Sequence, residues 1–327
     1  MHRRVFSLQA AALAAFATVA ATPFAQAQSY PDKPVRVIVP FAPGGTTDII
    51  ARVVAQQIQP ALGQTMVVDN KAGAGGLLGA SEIARATPDG YTLGIATVST
   101  TASVPAINPK TTYNPLTDFT SVINIAATPN VLAVHPSFGA KDFKSFMATV
   151  KAAPGKYTYA SSGTGGIGHL QMELFKSLTN TFVTHIPYRG AGPALNDAVA
   201  GQVPIIFDNL PSALPFIKDG RLVAVAVAAP QRLAVLPNVP TFKELGLEQV
   251  NRMAYYGVHG PKNLPKDVVA KVSAAVKQTL QNPEVKKRIE DTGSLIVAGT
   301  PEQFAAETRA EFEVYKRVVE QQKLKLE

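Results

Sequence analysis

The run Val35-Arg-Val-Ile-Val-Pro-Phe-Ala-Pro-Gly-Gly-Thr-Thr-Asp48 constrains this chain more than any other segment. Val35 to Val39 is short, apolar and β-branched, which predicts a buried strand. Pro40 ends it, because proline donates no ladder hydrogen bond. Pro43-Gly44-Gly45 predicts a tight turn, and Thr46-Thr47-Asp48 predicts an N-cap for a helix over residues 49–58. A strand, a glycine turn and a helix start bring several free backbone N–H groups to one point, and the helix macrodipole adds partial positive charge there. That geometry suits a small anion such as a carboxylate. No Gly-Lys-Ser/Thr follows, so this is not a phosphate loop, and the third glycine of the dinucleotide fingerprint is missing. An ordinary strand-to-helix turn accounts for the same residues equally well.

The alternation of strand and helix continues along the chain. Strands are expected at 66–69, 92–96, 157–161, 182–186, 204–207 and 222–228, and helices at 77–85, 141–151, 169–178, 193–200, 266–281 and 301–322. This pattern argues for an α/β fold with mainly parallel sheets. Two stretches stand apart: a long apolar extended segment at 120–135, interrupted by Pro129, and a second at 253–259. They read as crossovers between two α/β domains, a discontinuous one made of 28–126 plus 254–327 and an inserted one of 127–253. There are no internal repeats and no long linkers.

The first residues predict where the protein works. His2-Arg3-Arg4 is a basic start, residues 5–21 are apolar and uncharged, and Ala25-Gln26-Ala27 fits the small-x-small cleavage rule. We read residues 1–27 as a signal peptide cut after Ala27, which places the mature protein in the periplasm. Arg3-Arg4-Val5-Phe6 also resembles a twin-arginine signal, so the export route stays open. The chain has no cysteine, which excludes disulfides, thiol chemistry and cysteine metal sites. Its net charge of +8 comes from scattered basic residues, with one local cluster at Lys286-Lys287-Arg288 and no interleaved aromatics. That is a solvated basic surface and not a nucleic-acid footprint.

Four loops follow strand ends: 41–47, 97–101, 162–168 and 208–209. In open α/β sheets, ligands bind outside the carboxyl ends of strands, so these loops are expected to line one cleft. They are rich in glycine, hydroxyls and bare backbone, a surface that donates hydrogen bonds without moving protons. The candidate ligand-binding residues are Phe41, Ala42, Gly44, Gly45, Thr46 and Asp48 from the first loop and Thr97, Ser99 and Thr100 from the second. The third contributes Ser162, Gly163, Thr164, Gly165 and His169. Asp208 follows another strand, and Tyr255 sits in the return crossover, where successive side chains alternate faces so that one of Tyr255 and Tyr256 points to the cleft. Arg189 is a possible carboxylate clamp or a solvated turn residue. Asp48 serves equally well as a helix-start residue, and Asp208 as a turn or hinge contact. No catalytic residue and no cofactor is predicted. His135, His185 and His259 lack metal-ligand spacing. The enzymatic alternative is an exported serine hydrolase using Ser162 and His169, although no Gly-x-Ser-x-Gly elbow is present.

Spaced motifs running nearly end to end give the chain a family likeness. They are Tyr30-Pro-x-Lys-Pro34, Pro-Phe-x-Pro-Gly-Gly-x-x-Asp from Pro40 to Asp48, Ala72-Gly-Ala-Gly-Gly76 and Pro88-Asp-Gly-Tyr91. Further on come Ser-Gly-x-Gly-x-x-x-His-Leu from Ser162 to Leu170, Pro187-Tyr-Arg-Gly190, Phe207-Asp-Asn-Leu-Pro211 and Leu236-Pro-Asn-Val-Pro-Thr241. The chain resembles the Bug receptors, the TctC-like periplasmic solute-binding proteins of tripartite tricarboxylate transporters. The resemblance implies a type II periplasmic-binding-protein fold with the ligand in a cleft between two closing α/β domains. It also implies a small carboxylate ligand (a dicarboxylate, amino acid or aromatic acid) held largely by backbone groups and bridging waters, delivery to a membrane permease, and a monomeric receptor. A ligand-sensing partner protein without a transport role is the remaining alternative. The chain departs from the family pattern at Gly166, where a hydroxyl residue is common, and in the crossover, which reads Tyr255-Tyr-Gly-Val-His-Gly-Pro-Lys-Asn-Leu-Pro265.

Export and cleavage are testable directly. N-terminal sequencing of the periplasmic fraction should begin at Gln28. An intact Met1 in a membrane pellet would overturn the leader assignment.

Overall fold

Strand β1 (Val35–Val39) pairs in parallel with β2 (Met66–Asn70) on one side and β3 (Thr92–Thr97) on the other. Its place in the middle of a sheet follows from its composition, since a central parallel strand is covered on both faces. The computed structural model describes residues 30–326. The expected leader, its cleavage site and Gln28 lie outside the described residues.

Helix α1 (Thr46–Ala55) begins earlier than expected: Gly45 occupies the N-cap and no side chain caps it. Thr46, Thr47 and Asp48 are therefore its first turn. Asp48 braces the glycine turn from within, accepting from the Gly44 N–H at 3.1 Å, Arg52 Nε at 2.9 Å and Asn70 Nδ2 at 3.0 Å. A carboxylate in the first turn also meets the positive end of the helix.

The first sheet is completed by β4 (Phe119–Thr128), β10 (Ala254–Pro261) and β11 (Leu295–Gly299), in the order β11-β4-β10-β3-β1-β2. The second contains β5 (Asn130–Val134), β6 (Thr158–Ser161), β7 (Thr184–Pro187), β8 (Ile205–Asn209) and β9 (Val223–Ala228), in the order β7-β6-β8-β5-β9. Both sheets are mixed, which corrects the expectation of mainly parallel pairing. β3-β1-β2 and β7-β6-β8 are parallel, whereas β10 and β5 are antiparallel to both of their neighbours. The reason is topological. A parallel neighbour needs a long crossover, usually a helix, but β4 runs straight through Pro129 into β5, and β10 brings the chain back.

The helices pack around these sheets: α2 (Leu77–Ala84), α3 (Phe143–Ala152), α4 (Ile167–Thr179), α5 (Ala191–Val199), α6 (Leu210–Lys218), α7 (Lys266–Leu280), α8 (Pro283–Glu290) and α9 (Pro301–Gln321). Among the elements of five residues or more named above, three were not foreseen, α6, α8 and β11, and neither were the short helices Gln59–Leu62 and Val104–Ile107. Pro211 and Pro215 make α6 read as a broken segment, yet Pro211 sits at the helix start, where its missing N–H costs nothing. Residues 97–101, expected as a loop, run from the end of β3 into a π-type turn over Ser99–Ser103. There Thr100 Oγ1 accepts the Thr97 N–H at 3.1 Å and Thr101 Oγ1 donates to the Thr97 carbonyl at 2.8 Å. These hydroxyls replace backbone partners, which lets the chain leave the regular ladder.

The core of the second sheet shows strict two-residue alternation. Val131 and Ala133 of β5 join Ile206 on one face, while Leu132 and Val134 join Phe146, Phe175 and Phe207 on the other. By the same period, Asp208 falls on the Ile206 face at the carboxyl end of β8. Helix α4 approaches β8 closely at Gly168, where a Cβ would stand 2.3 Å from the Phe207 carbonyl oxygen. Gly168→Ala should therefore push α4 off the sheet and cost about 1–3 kcal/mol, read by urea unfolding. An unchanged midpoint would show that the helix start is free to shift.

Candidate functional site

One cavity lies where the strand ends of the two sheets meet. Its walls are Phe41, Gly45, Thr46 and Thr47 after β1, Thr97, Val98 and Ser99 after β3, and Ala254 and Tyr256 of β10. The second sheet contributes Ser162 and Ile167 after β6, Ala191 at the start of α5, and Asp208 and Asn209 at the end of β8. Starts of α1, α4, α5 and α6 converge here. The first intrahelical bond of α1 is Ile49 N to the Gly45 carbonyl at 3.0 Å, so the N–H groups of Thr46 and Thr47 precede the ladder and need other partners. About 10 Å³ of the cavity is open to the centre of a water molecule, close to one water's worth.

The lobes touch around this cavity. Ser212 of α6 donates its backbone N–H to Thr46 Oγ1 at 3.2 Å, and the two hydroxyls lie 3.0 Å apart. The Ile167 N–H donates to Ser99 Oγ at 3.0 Å, and the Ala42 N–H to the Arg189 carbonyl at 3.1 Å. Beside these bonds, main chain also meets main chain directly. A Cβ on Gly192 would stand 2.2 Å from the Pro43 carbonyl oxygen, and one on Gly190 2.8 Å from the Ala42 nitrogen. Gly75, at φ +65°, faces the Thr164 carbonyl oxygen, which a Cβ would approach to 2.4 Å; only glycine meets both demands without strain.

Behind the cavity a chain of buried amides joins the two crossovers. Tyr256 donates its hydroxyl to Asn209 Oδ1 at 2.6 Å, and Asn209 Nδ2 donates to Asn130 Oδ1. Asn130 Nδ2 donates to Gln171 Oε1 at 2.9 Å and to the Arg252 carbonyl at 3.0 Å, which also accepts from Gln171 Nε2 at 2.9 Å.

Seven of the residues chosen from sequence line this cavity: Phe41, Gly45, Thr46, Thr97, Ser99, Ser162 and Asp208. The others lie elsewhere. Ala42 and Gly44 face an outer groove beside Gly192 and Pro193. Asp48 and Thr100 brace their own turns, as described above. Gly163 and Thr164 press against Gly75, and Gly165 against Val104 and Ile107, as the seam beside the cavity. His169 turns inward: its Nδ1 accepts the Gly165 N–H at 3.0 Å, and its ring stacks on His185 with centroids 4.0 Å apart. Burial pushes its pKa down to about 4. Tyr255 is in the core, bonded to Thr101 Oγ1 at 2.5 Å and edge-on to Phe304, and Tyr256 takes the cavity face. Arg189 is exposed. The hydrolase pair is not assembled: no hydrogen bond joins Ser162 to His169, whose Nδ1 is engaged with Gly165, and the serine that does contact an imidazole is Ser161, with His185 Nε2 at 2.7 Å.

The lining residues not chosen are Thr47, Val98, Ile167, Ala191, Asn209, Ala254 and Tyr256. Four of them, Thr47, Val98, Ile167 and Asn209, lie inside the four loops and were legible by position. Tyr256 was one of two alternatives. Ala191 and Ala254 are small residues with no chemical signature.

Asp208 stands out electrostatically. It is 1 % exposed, Oδ1 accepts the Asn209 N–H at 2.7 Å, and Oδ2 has no hydrogen-bond partner. No lysine or arginine lines the cavity. Burial pushes the carboxyl up to about 7. Among the described residues, no group of histidines and carboxylates is placed to hold a metal ion.

The fold with this cleft defines a class, the periplasmic binding proteins of the TctC type. The chain belongs to the family described as "Tripartite tricarboxylate transporter family receptor", whose model matches residues 50–324. It is 35 % identical to Protein BugT of Bordetella pertussis over 278 residues, 85 % of each chain. A solved structure of a periplasmic transporter shares 52 % identity at a TM-score of 0.90, covering 91 % of this chain and 100 % of that one. MatC from Rhodopseudomonas palustris with bound malate shares 34 % identity at a TM-score of 0.86, covering 89 % and 100 %.

The raised pKa of Asp208 has a stability consequence. Between about pH 4 and 7 the folded state holds a proton that the unfolded chain has released, so stability falls as pH rises through that window. Asp208→Asn removes this slope. Relative to the parent, the ligand-free variant should gain on the order of 2–4 kcal/mol between pH 4 and pH 8, measured by urea unfolding at both pH values. Histidines pushed down by burial act equally in both proteins and cancel in the difference. Parallel pH profiles would mean that the carboxyl is already ionised in place.

Proposed function

We propose that this solute-binding receptor captures a small carboxylate between its two domains in the periplasm and delivers it to a membrane permease of the tripartite tricarboxylate type. The observation that carries this reading is the convergence of strand ends and helix starts from both sheets on one cavity that has hydroxyls and free N–H groups but no basic side chain. Such a wall recognises a carboxylate by direction as well as charge. The N–H groups of Thr46 and Thr47 and the hydroxyls of Thr46, Ser99 and Ser162 supply the donors. Hydrogen bonds to a charged group contribute about 1.5–3 kcal/mol each, so a few offset the cost of ordering ligand and loops. Malate in MatC supports the ligand class.

In this mechanism the first domain holds the carboxylate at the start of α1, and the second closes over it through Ser162, Ile167 and Asp208. The bonds from Ser212 to Thr46 and from Ile167 to Ser99 are those that closure makes. Binding alone is the activity, which fits a wall of donors with no nucleophile paired to a base. The receptor works as a monomer with respect to ligand, since one chain supplies both walls.

A Cβ on Gly45 would stand 3.1 Å from the Ala191 Cβ across the seam. Gly45→Val should weaken binding of a carboxylate ligand at least tenfold with an unchanged circular dichroism spectrum, and the ligand-induced fall in radius of gyration seen by solution scattering should disappear. Full affinity in the variant would remove the first loop from the site. Steady hydrolysis of model esters by the parent protein would favour the enzymatic reading instead.

A further inference from the structure

Resting on the reading of this cavity as a carboxylate-binding site, we propose that the ligand carries a protonated amine and presents it to Asp208. The receptor would thus select an amino acid over the hydroxy acid or unsubstituted acid of the same skeleton. The first ground is the bare oxygen. Asp208 Oδ2 lies in the cavity wall, buried and without a hydrogen-bond partner. A buried carboxylate oxygen is costly unless a donor or cation meets it.

The second ground is that the donors of its neighbours Asn209 and Tyr256 are already spent. The Asn209 N–H is spent on Asp208 Oδ1, the Asn209 amide nitrogen on Asn130, and the Tyr256 hydroxyl on Asn209 Oδ1. With no lysine or arginine in the lining, a positive charge beside Asp208 can come only from the ligand. The third ground is polarity across the cavity. The free N–H groups at the start of α1 suit an anion, and Asp208 on the opposing domain suits a cation. A zwitterion answers both ends. A plain dianion would set its second carboxylate against Asp208, and a hydroxyl would supply a donor without the charge.

The test uses matched triplets on one carbon skeleton: aspartate, malate and succinate; glutamate, 2-hydroxyglutarate and glutarate; alanine, lactate and propionate; phenylalanine, phenyllactate and phenylpropionate. Calorimetry with the mature protein should show the amino member of at least one triplet binding at least tenfold more tightly than its two partners. Asp208→Asn, checked for folding by circular dichroism, should abolish that preference and bring the three members within about threefold of one another. A merely structural aspartate would weaken all three alike, and that result overturns the proposal. So does tight binding of a hydroxy or unsubstituted acid with uptake of one proton at pH 8, which would mean that Asp208 is protonated by the ligand's arrival; the carboxylate-receptor reading would then stand. If no member of any triplet binds, both readings fall together.

Discussion

The amide chain from Tyr256 through Asn209 and Asn130 to the Arg252 carbonyl is the interaction on which the cavity depends. Asn130 is the first residue of the second sheet after Pro129, and Arg252 lies just before the strand that returns to the first. Both crossovers therefore meet at one side chain. Buried amides are costly unless every donor and acceptor is paired, and here each amide finds partners, with Gln171 of α4 closing the circuit. A fully satisfied buried network admits few alternative arrangements. It fixes where β8 ends and hence where Asp208 points. The Arg252 side chain extends the tie to α9 through its ion pair with Glu311, Nε to Oε1 at 2.9 Å.

The second support lies under the third loop. His169, His185 and Tyr159 form a stack, with ring centroids 4.0 Å apart in the first pair and 4.8 Å in the second. His169 Nδ1 accepts from Gly165, and His185 Nε2 meets Ser161 Oγ. To accept an N–H, Nδ1 of His169 must be unprotonated, and burial favours that neutral form. The histidine thus shapes the glycine loop from behind. The motif that contains it runs along the cavity wall at Ser162 and Ile167, while the imidazole itself turns inward.

Much of this architecture was legible in the sequence because its signals are local. A β-branched run followed by a glycine turn states strand, turn and helix without reference to anything distant, and β1, β2, β3 and α1 formed where they were expected to within a few residues. The two crossovers were visible as extended apolar stretches. What the sequence did not state depends on partners far away in the chain. Strand direction is set by which neighbour β5 and β10 find. Tyr255 and Tyr256 are chemically alike, and only the position of Phe304 and Asn209 decides which faces the core. Asp48 reads from sequence as a ligand contact or a helix-start residue with equal ease, and only the positions of Arg52 and Asn70 show what its carboxylate meets. Ala191 and Ala254 enter the wall because they are small, a property that leaves no mark in a motif.

At its glycines the seam around the cavity is main chain meeting main chain, Gly192 against Pro43, Gly190 against Ala42 and Gly75 against Thr164. Backbone has the same shape whatever side chains neighbour it. The rim and the lining are thereby separate parts: backbone sets how closely the loops of the two sheets meet, and the side chains within set the shape of the space they enclose. Exchanges at Val98, Ile167 or Ala254 can recut the interior for a longer or bulkier guest without touching these backbone contacts or the amide chain behind them.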